Sequence, residues 1–236
     1  MQSFELIHFA KADELARAAA TAWLNEVESA TRAGKKYSVA LSGGRITQKL
    51  FTDTVAQARA RKITFAQVHF FWADERCVPP DDPESNYKMA KDLLFEPLKI
   101  PPSQIHRIRG EDSPATAVKV IEGEFFQTVP SQIFDLILLG MGEDGHIASL
   151  FPGASQAIWD TPSPFLVVEN SPKPPPTRIS LSYKTIIAAR NVWALVSGAG
   201  KESALRESLS PSGHTPLARV LQGHRAMRVF SDIQEF

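Results

Sequence analysis

An aspartate and a histidine stand two residues apart at Asp144 and His146, just past a glycine pair at Gly140 and Gly142. Imidazole titrates near neutrality, so it can take a proton from water. A carboxylate beside it can orient the ring and steady its charged form. The apolar run before the glycines, residues 134–139, reads as a strand buried on both faces, as in a parallel sheet covered by helices. Glycine lets the backbone turn sharply there and approach a ligand. Ligands of open α/β sheets bind at the C-terminal edge of the strands. The pair is therefore expected as a base and its partner at the mouth of a sheet. The plainer alternative makes Asp144 a helix N-cap and His146 a surface residue.

Three other apolar strands end in polar or glycine-rich motifs. Residues 37–41 run into Ser42-Gly43-Gly44-Arg45, where a helix follows. Backbone N–H groups and a helix N-terminus favour an anion, and Arg45 adds a fork of donors matched to phosphate. Residues 68–72 run into Asp74-Glu75-Arg76, three charges that a solvated loop would equally explain. Residues 192–196 run into Ser197-Gly198-Ala199-Gly200-Lys201. A lysine opening a helix is poorly placed beside the dipole unless an anion is there too. Arg178 opens a strand at 179–181 and is a further candidate anion ligand, although either cation could pair with a surface carboxylate instead. On one edge of a parallel sheet, with neighbours roughly 5 Å apart, the four ends form a single site.

The elements that must position these residues alternate. Helical spacing over 13–33 ends at Gly34, a C-cap position. Helices are expected at about 47–59, 85–95, 114–128 and 201–208, and strands at 105–108 and 227–230 besides those above. Alternation of this kind means βαβ crossovers. The expected fold is a single α/β domain over 1–236, with a Rossmann-like, mostly parallel sheet, helices on both faces and a smaller β-containing subregion. The proline-rich segment 162–176 reads as a rigid loop, not a domain boundary.

Composition narrows the function classes. The 236 residues are 43% hydrophobic and 22% charged, the profile of an ordinary soluble globular protein. Lys plus Arg and Asp plus Glu both total 26, so no global field draws nucleic acid or an anionic membrane. Positive charge for an anion must be gathered locally. The one cysteine, Cys77, fits a reducing compartment, and the six scattered histidines show no metal-ligand spacing. No apolar run reaches membrane-span length and the N-terminal segment lacks a signal pattern, so a cytoplasmic location is expected. Cys77 has no histidine near it in sequence, and neither Ser42 nor Ser149 lies in a GxSxG elbow. Water is the expected nucleophile.

Together these residues resemble the 6-phosphogluconolactonase family, in the patterns LSGG (41–44), WADERCVPPDDPESNY (72–87), LGMGEDGHIASLFPG (139–153), PPPTRISL (174–181) and SGAGK (197–201). The related glucosamine-6-phosphate deaminases and isomerases typically carry DEY where this chain has Asp74-Glu75-Arg76, and an FNEP-like run where it has Ser149-Leu150-Phe151-Pro152. Many members continue SGG with a small run such as Ser-Thr-Pro, whereas here Arg45-Ile46-Thr47 follows.

The resemblance implies hydrolysis of 6-phospho-D-glucono-1,5-lactone to 6-phosphogluconate in the pentose phosphate pathway, without a metal or cofactor. It implies a phosphosugar lactone as partner, no nucleic acid or membrane, and a monomer or weak homo-oligomer. His146 is the expected general base, oriented by Asp144 or Asp74, a choice the sequence leaves open. Arg45, Arg178 and Lys201, with the backbone of Ser42, Gly43 and Gly44, are expected to hold phosphate, and Arg76 to face the developing oxyanion. An amino-sugar-phosphate deaminase or isomerase, or a non-catalytic sugar-phosphate sensor, are the alternatives.

Overall fold

The structure, a computed structural model, describes residues 4–234. In chain order its elements begin β1 (Phe4–His8), α1 (Ala12–Arg32), β2 (Tyr37–Leu41), α2 (Arg45–Arg61), β3 (Val68–Trp72) and β4 (Asp74–Arg76). A helical stretch follows as α3 (Asn86–Ala90), a π-helical turn (Lys91–Phe95) and α4 (Glu96–Leu98), and then α5 (Pro114–Thr128). The second half carries β5 (Leu136–Gly140), α6 (Gln156–Asp160), β6 (Phe165–Val168), β7 (Arg178–Leu181), α7 (Tyr183–Ala188), β8 (Asn191–Val196), α8 (Glu202–Leu209), α9 (Pro216–Gly223) and β9 (Met227–Ser231).

Six strands form one parallel sheet in the order β1-β9-β8-β5-β2-β3. The four strands whose ends carry chemical motifs, β8, β5, β2 and β3, are consecutive neighbours. β2 is buried at every position, as a strand covered on both faces must be. On β3 successive side chains serve opposite layers. Phe70 meets Trp23 of α1 at 6.5 Å and Phe95 at 5.0 Å, while Phe71 meets Phe125 of α5 at 5.9 Å and Phe134 at 5.3 Å. That alternation seats α1 on one face and α5 on the other. α1 turns Leu15, Ala16, Ala19, Ala20, Trp23, Leu24 and Val27 inward, its small residues letting it lie close. Gly34, just beyond its end, adopts φ +62°, the left-handed conformation a helix terminator needs.

Strands β4, β7 and β6 make a separate antiparallel sheet. Ala73 joins the two sheets: its N–H donates to Leu41 O at 2.7 Å and its carbonyl accepts from Leu181 N at 2.7 Å. The chain leaves β2 toward β3 on one side and later returns to place β5 on the other. The C-terminal ends of β2 and β5 thus flank a topological switch point, where a crevice opens.

Several expectations are corrected. Asp74-Glu75-Arg76 is a strand, not a solvated loop, because it pairs with β7. The strand expected at 134–139 begins at Leu136, and the Asp135 carboxylate just before it accepts from Ser38 N at 2.9 Å. No strand forms over 105–108; Ile105 makes a single bridge to Phe70. The helix expected at 85–95 changes register through the π turn, and the one expected at 201 starts at Glu202. Strands β1 and β6 and helices α6, α7 and α9 were not anticipated, and β6 (Phe165–Val168) lies inside the 162–176 segment expected as a rigid loop, because it pairs with β7. No helix among the described residues is long and apolar enough to cross a membrane.

Candidate active site

An open cleft lies at the switch point. It is lined by every anticipated site residue except Asp144, which reaches it through His146.

The anion side is built on the loop between β2 and α2. Gly44 caps α2 at φ +106°, a conformation suited to glycine, and no side chain caps the helix. The first N–H groups of a 17-residue helix therefore face the cleft uncapped. The Ser42 hydroxyl donates to Leu138 O at 2.8 Å and ties the end of β2 to β5, which leaves its backbone at the cleft. Gly43 is required by space. A Cβ there would lie 2.0 Å from Asn86 Oδ1, and Asn86 in turn donates through Nδ2 to Asp74 O at 2.9 Å. Arg45 and Lys201 converge on this end, and neither side chain makes a hydrogen bond or ion pair among the described residues. Burial, reinforced by the nearby Arg45 charge, lowers the Lys201 ammonium from its ordinary range against the pull of Glu143 and Asp232. Two unneutralised cations at an uncapped helix start attract an anion.

The base side is the loop after β5. His146 Nδ1 lies 2.5 Å from Asp144 Oδ1, which also accepts from His146 N at 3.2 Å. Carbonyl and amide of the same turn lock it, with Gly142 N donating to His146 O at 2.9 Å. Gly142 gives the ring its berth, because a Cβ there would sit 2.1 Å from both Cε1 and Nδ1 of the imidazole. The other side of the ring rests near Phe151, with centroids 4.6 Å apart. Burial lowers the imidazole below its usual value, opposed by the Asp144 carboxylate. Burial also acts to raise Asp144, but its bonds with His146 outweigh it and hold the carboxyl below the usual range. No helix follows that Asp144 would cap; Ile147 instead bridges to Met141 and Leu150.

Asp74 was the other carboxylate considered for orienting His146, and it does not bond the ring. Its Oδ2 accepts from the buried Ser149 hydroxyl at 2.6 Å, and its Oδ1 lies 3.4 Å from Asn86 Nδ2. Glu75, beside it, is buried behind the cleft and accepts from the backbone N–H of Arg76, Asn86 and Tyr87 and from the Ser85 hydroxyl. Burial pushes this carboxyl up to about 7 while those donors hold it back. It is the clamp that fixes the turn into α3.

The two arginines of the small sheet are both partly engaged. Arg76 Nη1 donates to Glu84 O at 2.5 Å and to its carboxylate at 3.2 Å, while its buried Nε has no protein partner. Arg178 donates Nη2 to the carbonyls of Lys173 and Pro174, and Nε to Pro175 O. It is thus first a brace for the proline loop. Four cations, Arg45, Arg76, Arg178 and Lys201, line the cleft against one carboxylate, Asp74. Sequence reasoning missed Asn86 as a contributor, its signal present only as membership of the 72–87 motif; it considered Ser149 only as a nucleophile and Gly142 only as a turn residue, not as the partner of Asp74 and the berth of the imidazole. Among the described residues no group of three or more His, Cys, Asp or Glu is arranged to hold a metal ion.

The arrangement puts an imidazole, a helix N-terminus and four cationic side chains in one cleft, groups that can accept a proton and attract an anion. Comparison with known proteins shows the family. A 6-phosphogluconolactonase of Haemophilus influenzae is 40% identical over 179 residues, covering 75% of this chain and 76% of that protein. One of Mycobacterium leprae is 36% identical over 221 residues, covering 89% and 88%. The solved 6-phosphogluconolactonase of Trypanosoma brucei superposes with a TM-score of 0.81 at 27% identity, over 98% of this chain and 97% of that one. The family model described as glucosamine-6-phosphate isomerases/6-phosphogluconolactonase matches residues 10–229, and the chain belongs to that family.

Proposed function

We propose that this chain hydrolyses 6-phospho-D-glucono-1,5-lactone to 6-phosphogluconate, the pentose phosphate pathway step for which its relatives are named. The observation that carries the reading is the His146–Asp144 pair in the same cleft as an uncapped helix N-terminus flanked by Arg45 and Lys201.

Asp144 engages Nδ1, so Nε2 is the nitrogen that takes a proton from water as the water oxygen attacks the lactone carbonyl carbon. The carbonyl π pair moves onto oxygen, and the place of Arg76 in the cleft lining supports its assignment to that oxyanion. When the oxyanion collapses, the bond to the ring oxygen breaks and the imidazolium returns its proton to that oxygen. The product is the open-chain acid, which ionises. Asp144 holds the ring in the working tautomer and stabilises its charged state. Arg45, Lys201 and the backbone of residues 43–45 hold the phosphate, with Arg178 supporting the wall beside them. Asp74, fixed by Ser149, is left to accept from a substrate hydroxyl.

Acid release from fresh 6-phosphogluconolactone near pH 6.5, corrected for spontaneous hydrolysis, tests the reading. Wild type should accelerate release, and His146→Ala should lose on the order of 10²–10⁴ in kcat. Wild type with no acceleration, but with ammonia release from glucosamine 6-phosphate, would overturn it.

A further inference from the structure

Strands β8 and β9 are parallel neighbours with Val196 opposite Ser231, so both chains leave the sheet side by side at its C-terminal edge. One continues as Ser197-Gly198-Ala199-Gly200-Lys201 and opens α8, and the other continues as Asp232. This register sets Asp232 against the start of the first loop. Its Oδ2 accepts from the Ser197 hydroxyl at 2.8 Å, and its Oδ1 accepts from Gly198 N at 3.2 Å. Asp232 is itself held in place. Its N–H donates to Val196 O at 3.4 Å, and the next residue, the buried Ile233, donates its N–H to Ser231 Oγ at 3.1 Å.

The loop needs such a hold. Gly198 and Gly200 adopt φ +97° and +87°, and glycine is equally free to adopt other conformations, so the segment has little rigidity of its own. Yet it carries two residues of the cleft lining, Ser197 and Lys201. It also runs beside Arg45, since a Cβ on Gly198 would stand 4.0 Å from Nη2 of that guanidinium. Where this loop rests therefore sets how Lys201 meets Arg45 at the start of α2. The Asp232 carboxylate engages the loop with both oxygens and makes no ion pair with Lys201 among the described residues, which leaves the ammonium to an anion.

We propose that Asp232 is a positioning residue for phosphate binding, clamping Ser197 and Gly198 so that the loop presents Lys201 beside Arg45. The inference rests on the phosphosugar reading above. A carboxylate suits the task, because it offers two acceptors at once and its charge strengthens both bonds.

Asp232→Ala and Asp232→Asn test it, with kcat and KM measured for 6-phosphogluconolactone. The alanine variant should raise KM by about 3–10-fold with kcat within about twofold. Asparagine should restore most of the loss, because its amide still accepts from Gly198 N–H and donates to the Ser197 hydroxyl oxygen. In a Lys201→Met background, Asp232→Ala should change KM by less than about twofold, since the clamp acts through that ammonium. An unchanged KM in Asp232→Ala, even with lowered thermal stability, or the full rise repeated in the Lys201→Met background, overturns the assignment while leaving a lactonase reading intact. If Asp232→Ala does not fold, Ser197→Ala, which deletes only the Oδ2 bond, should raise KM by about 2–3-fold. An unchanged KM there overturns the assignment as well. Calorimetric binding of 6-phosphogluconate separates the two ideas. If wild type fails to hydrolyse the lactone yet binds 6-phosphogluconate, a Kd raised by about 3–10-fold in Asp232→Ala supports the clamp, and an equal Kd overturns it. Wild type that neither turns over nor binds overturns both.

Discussion

Replacing Gly142 by alanine adds one methyl group and removes no reactive atom, yet it should disable the enzyme. The added Cβ would lie 2.1 Å from Cε1 and Nδ1 of His146 and 2.8 Å from Asp144 Oδ1, where ordinary contact begins at 3.4 Å. The ring must retreat by more than 1 Å, and it cannot do so while keeping the 2.5 Å contact with Asp144. A misplacement of that size costs on the order of 10² in rate. The backbone is not at fault, since Gly142 is absent from the positive-φ positions. The same acid-release assay reads the loss, and thermal unfolding shows whether the fold persists. The decisive comparison is a double-mutant cycle. If Gly142→Ala acts through the imidazole, adding it to His146→Ala should change kcat by less than about threefold, because the two changes disable one unit. A Gly142→Ala enzyme with near-wild-type kcat, or a full further hundredfold loss on top of His146→Ala, would refute the reasoning.

Asp144→Asn should lower kcat by at least about tenfold and move the acid limb of kcat/KM to lower pH. The sign follows from charge: Asp144 opposes the burial that depresses His146, so neutralising it lets the imidazole fall further. A limb that stays put or moves up would remove Asp144 from the pair. Away from the site, Gly123 lies within α5, exposed, with nothing within 4 Å of an added Cβ. Gly123→Ala should stabilise the fold by roughly 0.5–1 kcal/mol in denaturant unfolding and leave activity unchanged. A loss of stability would mean that α5 is not helical through that position.

The sheet was legible because buried parallel strands are short apolar runs cut off by glycine or charge. β2 and β3 fell where their runs fell, at 37–41 and 68–72. β5 was misjudged at its start because Phe134 is apolar without being strand. It stacks on Phe125 with centroids 4.8 Å apart, and core packing off the sheet looks the same in one dimension as core packing on it. β1 was missed because none of its five residues is fully buried, unlike most of those of β3 at the other edge of the sheet. The candidate site was legible to the level of the loop but not of the bond. Asp74 and Asp144 both follow apolar strands, and only geometry shows that Ser149 engages the first and His146 the second. Likewise, nothing about a serine before two glycines says that its hydroxyl binds Leu138 and not a ligand.

Reading the segment after Trp72 as a loop also concealed a tension. As strand β4 it pairs Arg76 directly with Arg178 across the small sheet. Like charges in that position repel and destabilise a ladder. The fold answers with Glu84 for Arg76 and three carbonyls for Arg178, none of them a carboxylate shared between the two guanidinium groups. On the anion side Arg45 and Lys201 repeat the pattern, with Arg45 adding to the depression of the Lys201 ammonium. A chain selected only for stability would have little use for two such cation pairs in one cleft. An anionic ligand changes the account, because each repulsion becomes a shared attraction when it binds. Folding stability given up in the ligand-free protein then returns on binding, growing with the logarithm of ligand concentration over its dissociation constant.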